Sequence, residues 1–170
     1  DASGNRAKAY LYCLEVKCPY TGWMVPLAPS WIISKKRNVI ARLKPDFSRK
    51  LYDIEVLANV SQDEMDEADL GTLRGNRLFH QALNGELGPS IKEIRGDRKN
   101  QDGRSINSLR HWAKEEVVPR EGDVFQERLY AIHWMDGIDL AKGKANPRTW
   151  FSEPTEHDFR IEQEISQHVQ

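Results

Sequence analysis

Apolar and polar side chains alternate near the start of the chain, and this period of two predicts a β-strand. Tyr10, Tyr12, Leu14 and Val16 form one apolar series, and a turn signal that includes Gly22 follows it. The next apolar residues are interrupted by prolines, which cannot donate a backbone hydrogen bond to a neighbouring strand. We therefore expect a strand, a turn and a second strand that is short, bulged or at a sheet edge.

Two further strands are predicted over residues 39–43 and 51–60, with a turn at 44–46 between them. A hairpin is predicted within residues 72–79, around a Gly-Asn pair. Strands therefore dominate the first part of the chain.

Helices are predicted where a hydroxyl and a carboxylate three residues later can form a capping box. Ser61 and Glu64 precede a short acidic helix over residues 62–70, which Gly71 ends. Residues 90–93 begin one further helical turn that stops at a glycine.

The end of the chain carries the strongest helical pattern. Thr155 and Asp158 provide the cap, and Ile161, Ile165 and Val169 recur every four residues. Before this helix, the pattern predicts a loop over 96–108, a short helix over 109–118, and a capped turn or helix over 123–132 that ends in buried apolar residues.

Together these elements predict an α+β fold that is mostly antiparallel β, with a degenerate zinc-ribbon-like hairpin, a few short helices and a C-terminal helix. A length of 170 residues suits a single domain over 1–170. Its parts are a β-rich ribbon-like part (1–60), a part with a helix, a hairpin and a basic loop (61–120), and an acidic part with the C-terminal helix (121–170).

The net charge of −1 conceals a separation of basic and acidic stretches. Residues 1–60 hold ten basic and five acidic residues, residues 61–70 hold five acidic residues alone, and residues 121–170 hold five basic and ten acidic residues. A basic face suits phosphate contacts, whereas both faces could equally be solvated surface.

Seven residues are the candidate nucleic-acid contacts: Lys35, Lys36, Arg37, Arg98, Lys99, Arg104 and Arg110. Trp31 and Trp112, which lie among basic residues, are expected to be core anchors.

The chain starts without a signal-peptide pattern and holds no apolar run of membrane-spanning length, so a cytoplasmic location without membrane contact is expected. Cys13 and Cys18 are then expected to be free thiols. No glycine-rich phosphate loop, nucleophile elbow or His-Glu-x-x-His motif is present, so no catalytic residue is assigned. The five scattered histidines are interpreted as surface or packing residues: His80, His111, His133, His157 and His168.

The string Cys-Pro-Tyr-Thr-Gly at residues 18–22 has the form of a zinc knuckle in which threonine replaces the second cysteine. The segment 77–85 would provide the second knuckle, with His80 at its first ligand place and Leu83 or Asn84 at its second. Cys18 and His80 are therefore the candidate metal ligands. A structural zinc ion needs four ligands, and only two candidates are present, so bound zinc is disfavoured. We expect instead a hairpin that folds by apolar packing.

Several strings together resemble the zinc-ribbon-containing adenine-specific DNA methylases, some of which are found beside anti-phage genes. The main strings are Glu15-Val16-Lys17-Cys18-Pro19, Gly22-Trp23-Met24-Val25-Pro26-Leu27-Ala28-Pro29-Ser30-Trp31, Leu109-Arg110-His111-Trp112 and Asp123-Val124-Phe125-Gln126-Glu127-Arg128-Leu129-Tyr130-Ala131-Ile132. In that family this region is an insertion between the S-adenosylmethionine (SAM) motif and the catalytic Asp-Pro-Pro-Tyr motif. Neither motif occurs here, so none of the family's catalytic residues carries over to this sequence. Of the family's zinc-ligand positions, only Cys18 carries over with its residue.

The resemblance implies an internal fragment of a SAM-dependent methyltransferase that itself holds no cofactor. The expected role is a non-catalytic DNA-contacting or target-recognition domain, in a restriction-modification or anti-phage system, with DNA and the rest of the methyltransferase chain as partners. The alternative is a structural or protein-interaction module that docks on the methyltransferase core or on a defence-system partner.

Overall fold

The computed structural model describes residues 1 and 3–169, except for the side chains of residues 166–169, so those of His168 and Val169 lie outside the described part. The described strands are β1 (Arg6–Lys17), β2 (Met24–Leu27), β3 (Ile32–Ser34), β4 (Val39–Asp46), β5 (Leu51–Leu57), β6 (Leu73–Arg74), β7 (Arg77–Leu78), β8 (Arg98–Lys99), β9 (Ser105–Ile106), β10 (Phe125–Met135) and β11 (Thr149–Ser152). The described helices are α1 (Gln62–Asp69), α2 (Ile91–Arg95), α3 (Gly137–Ala141) and α4 (Glu156–Val169). All named strand pairs are antiparallel, which confirms the predicted α+β class.

The largest sheet has the strand order β11-β10-β1-β2. Its centre is the long pair of β1 and β10, in which Tyr10 lies opposite Ile132 and Val16 lies opposite Phe125. The edge strand β2 contains Pro26, and this position confirms the edge placement that its prolines predict.

A second sheet with the order β3-β4-β5 lies against both edges of the first. The backbone N–H of Met24 at the start of β2 donates to Lys50 O at 2.9 Å. Past β11, the Glu153 side chain accepts from the N–H of Val56 at 2.7 Å. The two sheets thus enclose the core between them.

The core contains two main clusters of buried side chains, and each holds one of the two cysteines. Cys18 packs with Trp23, Tyr52 and Leu83, whereas Cys13 belongs to the second cluster. Both thiols are free, as predicted. Burial raises the pKa of the Cys13 thiol to about 12, so this thiol stays protonated and unreactive.

The predicted capping boxes are confirmed at all three helices. Ser61 and Glu64 cap α1, Ser90 caps α2 reciprocally with its third residue, and the Thr155 hydroxyl bonds Asp158 at the start of α4. The hairpin predicted in residues 72–79 is also confirmed, as β6 and β7. No described helix is long and apolar enough to cross a membrane.

Three predicted elements differ from the structure. The loop over 96–108 is wrong in part, because it contains the two-stranded hairpin of β8 and β9. The helix over 109–118 is wrong, since these residues form a turn, a bend and irregular chain. The helix alternative for 123–132 is wrong as well, because this segment enters β10, although the expected burial of its apolar end is confirmed.

The turn predicted at 44–46 lies a few residues later. Pro45 remains in β4 opposite Tyr52, and β3 pairs only with the first residues of β4. The missing N–H of Pro45 therefore falls where the strand has no second neighbour. The Asp46 carboxylate instead organises the turn by accepting from the N–H groups of Ser48 and Arg49 at 2.9 and 3.0 Å.

Candidate nucleic-acid interface

A basic groove lies between helix α2 and the β8–β9 hairpin. Its volume is ≈ 390 Å³, and we call it the basic groove. Four of its lining side chains are cationic: Lys92, Arg95, Arg98 and Lys99. The remaining lining residues are Asp97, Ser105, Ile106 and Asn107.

The groove is open to solvent, and the cations Arg98 and Lys99 beside it are exposed. An anionic ligand can therefore reach them.

Local sequence signals position both walls of the basic groove. Gly96 ends α2 in a left-handed conformation with φ of 68°, and a Cβ atom there would lie 2.6 Å from Ser108 Oγ. The Asn100 side chain closes the hairpin by accepting from the N–H groups of Asp102 and Arg104. The Ser108 N–H donates to Arg95 O at 2.8 Å and returns the chain to α2.

The cations of the basic groove are oriented by neighbouring polar atoms. Lys99 Nζ donates to Ser105 Oγ at 2.8 Å, and Arg98 Nη1 donates to Gly96 O at 3.0 Å. Arg95 forms an ion pair with Asp97, and this hydrogen bond lowers the pKa of the Asp97 carboxyl. Asp97 is therefore the one lining carboxylate of the groove, and Arg95 neutralises it.

The structure groups part of the predicted set and adds two residues to it. Arg98 and Lys99 line the basic groove, and Arg104 lies on the same hairpin with an exposed side chain. Lys92 and Arg95 were not among the predicted contacts. Their spacing of three residues, which places side chains on one helix face, is the signal that identifies them.

The predicted cations Lys35, Lys36 and Arg37 lie elsewhere, on a single 3₁₀ turn between β3 and β4. None of them lines the basic groove. Arg37 Nη1 donates to Thr149 O at 2.9 Å, so this residue connects the turn to β11.

Arg110 forms ion pairs within the chain. Its guanidinium contacts Glu116 at 2.6 Å and Asp123 at 2.8 Å, and both carboxylates are nearly buried. The hydrogen bonds from Arg110 lower the pKa of Asp123 to about 2. Arg110 therefore organises the segment that was predicted as a helix. Beside it, Trp112 is 46% exposed, so its expected core role is wrong, whereas that of Trp31 is confirmed at 5% exposure.

The ribbon-like hairpin supports the wall of the basic groove. The turn between β1 and β2 is closed by hydrogen bonds from Gly22 N to Cys18 O and from Cys18 N to Trp23 O, both at 2.8 Å. Tyr20 at its tip donates to Glu93 in α2, and this bond lowers the pKa of Glu93 to about 2. The hairpin thus contacts the helix that carries Lys92 and Arg95.

The structure brings the two predicted knuckles together through His80. The Tyr52 hydroxyl accepts from Gln81 N at 3.1 Å and hydrogen-bonds His80 Nδ1 at 3.0 Å. His80 Nε2 lies 3.4 Å from Thr21 Oγ1. Burial lowers the pKa of His80 to about 4, so the ring is neutral at pH 7.

The donor set of this cluster does not fit structural zinc, because it offers one thiol and one imidazole where four ligands are needed. Within the described residues, no group of three or more His, Cys, Asp and Glu side chains could hold a metal ion.

Comparison of the chain with models of protein families, with curated proteins and with solved structures finds no match. The resemblance to adenine-specific DNA methylases therefore stays a prediction from the strings quoted above. The cations that line the basic groove are the structural feature that bears on function.

Proposed function

We propose that this chain is a non-catalytic DNA-contacting domain that binds phosphates in the basic groove. One observation carries the proposal: Lys92 and Arg95 of α2 converge with Arg98 and Lys99 of the hairpin around one solvent-open groove. Cations that converge on one groove suit the regular negative charge of a nucleic-acid backbone.

The local charge supports DNA better than the net charge of the chain does. The net charge is −1, but the groove holds four cations and a single carboxylate, which is already paired. Ser105 and Asn107 add polar side chains that can bond phosphate oxygens. Phosphate contact thus depends on this surface rather than on the average composition.

The β8–β9 hairpin also has a shape that suits duplex DNA. A two-stranded ribbon fits the major groove of B-DNA, and Arg104 lies beside the turn of this ribbon. In the setting that the resemblance implies, the domain holds flanking DNA while the catalytic part of an adenine-specific methyltransferase takes the flipped adenine. Such an enzyme would serve restriction-modification or anti-phage defence.

Alanine substitution of Arg98, Lys99 and Arg104 tests the proposal. We expect the triple variant to bind a short fluorescein-labelled duplex at least about ten-fold more weakly at low salt, a loss of about 1.4 kcal/mol shared by three phosphate contacts. Fluorescence anisotropy measures the change.

A matched control removes three exposed cations at other places: Lys17, Lys142 and Arg160. The control variant has the same net charge as the groove variant. If the groove is the contact, the control variant should keep its affinity for the duplex, because its three substitutions lie outside the groove. Equal losses in the two variants would contradict a specific groove. Retained affinity in the first variant would contradict the proposal.

A protein-interaction module is the second candidate, and the surface of α4 favours it. Phe159, Ile161 and Ile165 are 39%, 40% and 58% exposed, and the Tyr12 hydroxyl of β1 bonds Glu162 in the same helix. Exposed apolar side chains on a terminal helix are typical of an interface. The partner we propose is the methyltransferase core.

Co-purification with a methyltransferase core that lacks this region tests the second candidate. Serine substitutions at Ile161 and Ile165 should abolish co-purification. Serine at Ile138, which is 64% exposed on α3, should not. Loss with both variants, or with neither, would count against α4 as the interface.

A further inference from the structure

One edge of strand β1 is unpaired over part of its length. β10 pairs with β1 from Arg6 to Val16, whereas β2 pairs with its other edge only from Leu14 to Lys17. We call residues 9–13 of β1 the free edge segment. Within the described part of the chain, β10 is the one strand whose backbone pairs with this segment. In an antiparallel pair, alternate residues direct their N–H and C=O groups away from the partner, so the free edge segment offers unpaired backbone donors and acceptors.

The chain that follows β2 turns away from β1 and leaves this edge uncovered. Pro29 has no N–H group to donate to a neighbouring strand. The carbonyl oxygen of Ala28 instead accepts from the N–H groups of Thr72 at 2.9 Å and Leu73 at 3.0 Å. The junction of α1 with β6 therefore binds the residues that would otherwise have extended β2.

A β-bulge limits the free edge segment at its other end. The register of β1 with β10 shifts between Ala7 and Ala9, so Lys8 is an extra residue on β1. A bulge bends its strand and ends regular pairing. The regular unpaired edge thus lies between the bulge and the start of the pairing with β2.

Two exposed aromatic side chains project from one face of the free edge segment. Tyr10 is 55% exposed, and Tyr12 is 47% exposed although its hydroxyl bonds Glu162 in α4. Proteins commonly protect such edges with lysine, proline or inward-pointing charges, but residues 9–13 contain no charged residue and no proline. This edge is therefore suited to pairing with a further strand.

The sequence of the free edge segment suits pairing with itself. In an antiparallel pair of two such segments in full register, Leu11 lies opposite Leu11 of the second copy. Tyr10 then lies opposite Tyr12 of the second copy, and the two-fold symmetry produces this aromatic pair twice. Cross-strand aromatic pairs stabilise a sheet, and the net charge of −1 causes little repulsion between two copies.

We propose that two copies of this chain associate through their free edge segments, as antiparallel strands about a two-fold axis at Leu11. The two four-stranded sheets then form one continuous sheet. The proposal does not rest on DNA binding, because the free edge segment contains no residue of the basic groove.

Sedimentation equilibrium of the whole chain tests the association. We expect a reversible equilibrium between monomer and dimer at concentrations up to about 0.5 mM, because a short strand edge forms a small interface and small interfaces are often weak. The variant Tyr10→Lys with Tyr12→Lys places like charges opposite each other twice. It should weaken the dimer at least about ten-fold.

A matched control adds the same charge elsewhere. Leu87→Lys with Val117→Lys changes two apolar side chains that are each 60% exposed and lie outside β1. This control should keep the dissociation constant of the unaltered chain. The Arg98, Lys99 and Arg104 triple variant should also keep it, which separates this proposal from the proposed function.

Hydrogen exchange of backbone amides in the unaltered chain gives a second readout that needs no variant. Amides of residues 9–13 that point away from β10 should exchange fast in dilute solution and become protected at concentrations at which the dimer forms. This measurement decides if the lysine variant does not fold.

Three outcomes would overturn the proposal. The first is a chain that remains monomeric over the whole concentration range, which would leave the edge to a strand of another protein. The second is a dimer whose formation leaves the exchange of residues 9–13 unchanged. The third is a dimer that persists in the lysine variant but is lost with serine at Ile161 and Ile165, which would assign the contact to α4.

Discussion

His80 shows how one buried ring can hold two turns together without a metal. Its two nitrogens connect Tyr52 with Thr21, the residue at the place of a knuckle cysteine. Its neighbour Leu83 is buried in the same cluster as Cys18. Hydrogen bonding and apolar packing therefore maintain the ribbon-like shape.

The low pKa of His80 predicts a pH-dependent stability. Its folded pKa of about 4 lies below the ordinary value of 6.5, so the unfolded chain binds more protons between these values. The contribution of His80 to the free energy of unfolding is complete above about pH 6.5 and is lost as the pH falls toward 4. We expect the stability advantage of the native chain over His80→Gln to shrink by about 2 kcal/mol, since each pKa unit is worth about 1.4 kcal/mol and solvent screens the half-buried ring.

Urea unfolding at several pH values measures this advantage. His157→Gln, at an exposed position, is the control and should follow the pH profile of the native chain. A constant difference between the native chain and His80→Gln over the whole range would contradict the assigned role of His80.

At the scale of elements, local signals predicted the capped helices α1, α2 and α4, but not α3. A capping box depends on residues three positions apart, so Ser61 with Glu64 and Ser90 with Glu93 could be identified from the sequence alone. The segment 109–118 could not be predicted, because Arg110 is held by Asp123, thirteen positions away. β10 also pairs with β1 near the start of the chain, and no local pattern shows a pairing across such a separation.

The candidate site follows the same division. Arg98, Lys99 and Arg104 could be predicted because they lie together in a polar segment. The contribution of α2 depends on how the chain reverses at Gly96.

Gly71, which ends α1, provides a test of how tightly this junction packs. Its φ is 61°, and a Cβ atom would lie 2.4 Å from backbone atoms of Ala28 and Pro29. We expect Gly71→Ala to lower the free energy of unfolding by about 3 kcal/mol or more, since backbone strain adds to the overlap. Urea denaturation measures the loss.

Gly75 is the matched control, because its φ is 62° and no atom lies within 4 Å of its Cβ position. Gly75→Ala should cost about 1 kcal/mol from the left-handed conformation alone. Similar losses at the two glycines would show that the junction of α1 with residues 28–29 is not closely packed.

At the scale of the whole molecule, charge is separated between surfaces. The acidic residues of α1 lie together on one helix, whereas the cations of α2 and the β8–β9 hairpin surround the basic groove. A net charge of −1 therefore describes neither surface. The proposed DNA contact depends on a local field, which salt weakens.

The salt dependence of duplex binding tests this central claim most directly. The affinity of the native chain and of the Arg98, Lys99 and Arg104 triple variant is measured by anisotropy across a series of salt concentrations. We predict that the logarithm of the affinity falls linearly with the logarithm of salt, and that the slope of the triple variant is smaller by about 2 to 3, near one for each lost phosphate contact. Equal slopes for the two chains, or no binding by the native chain at low salt, would contradict the account.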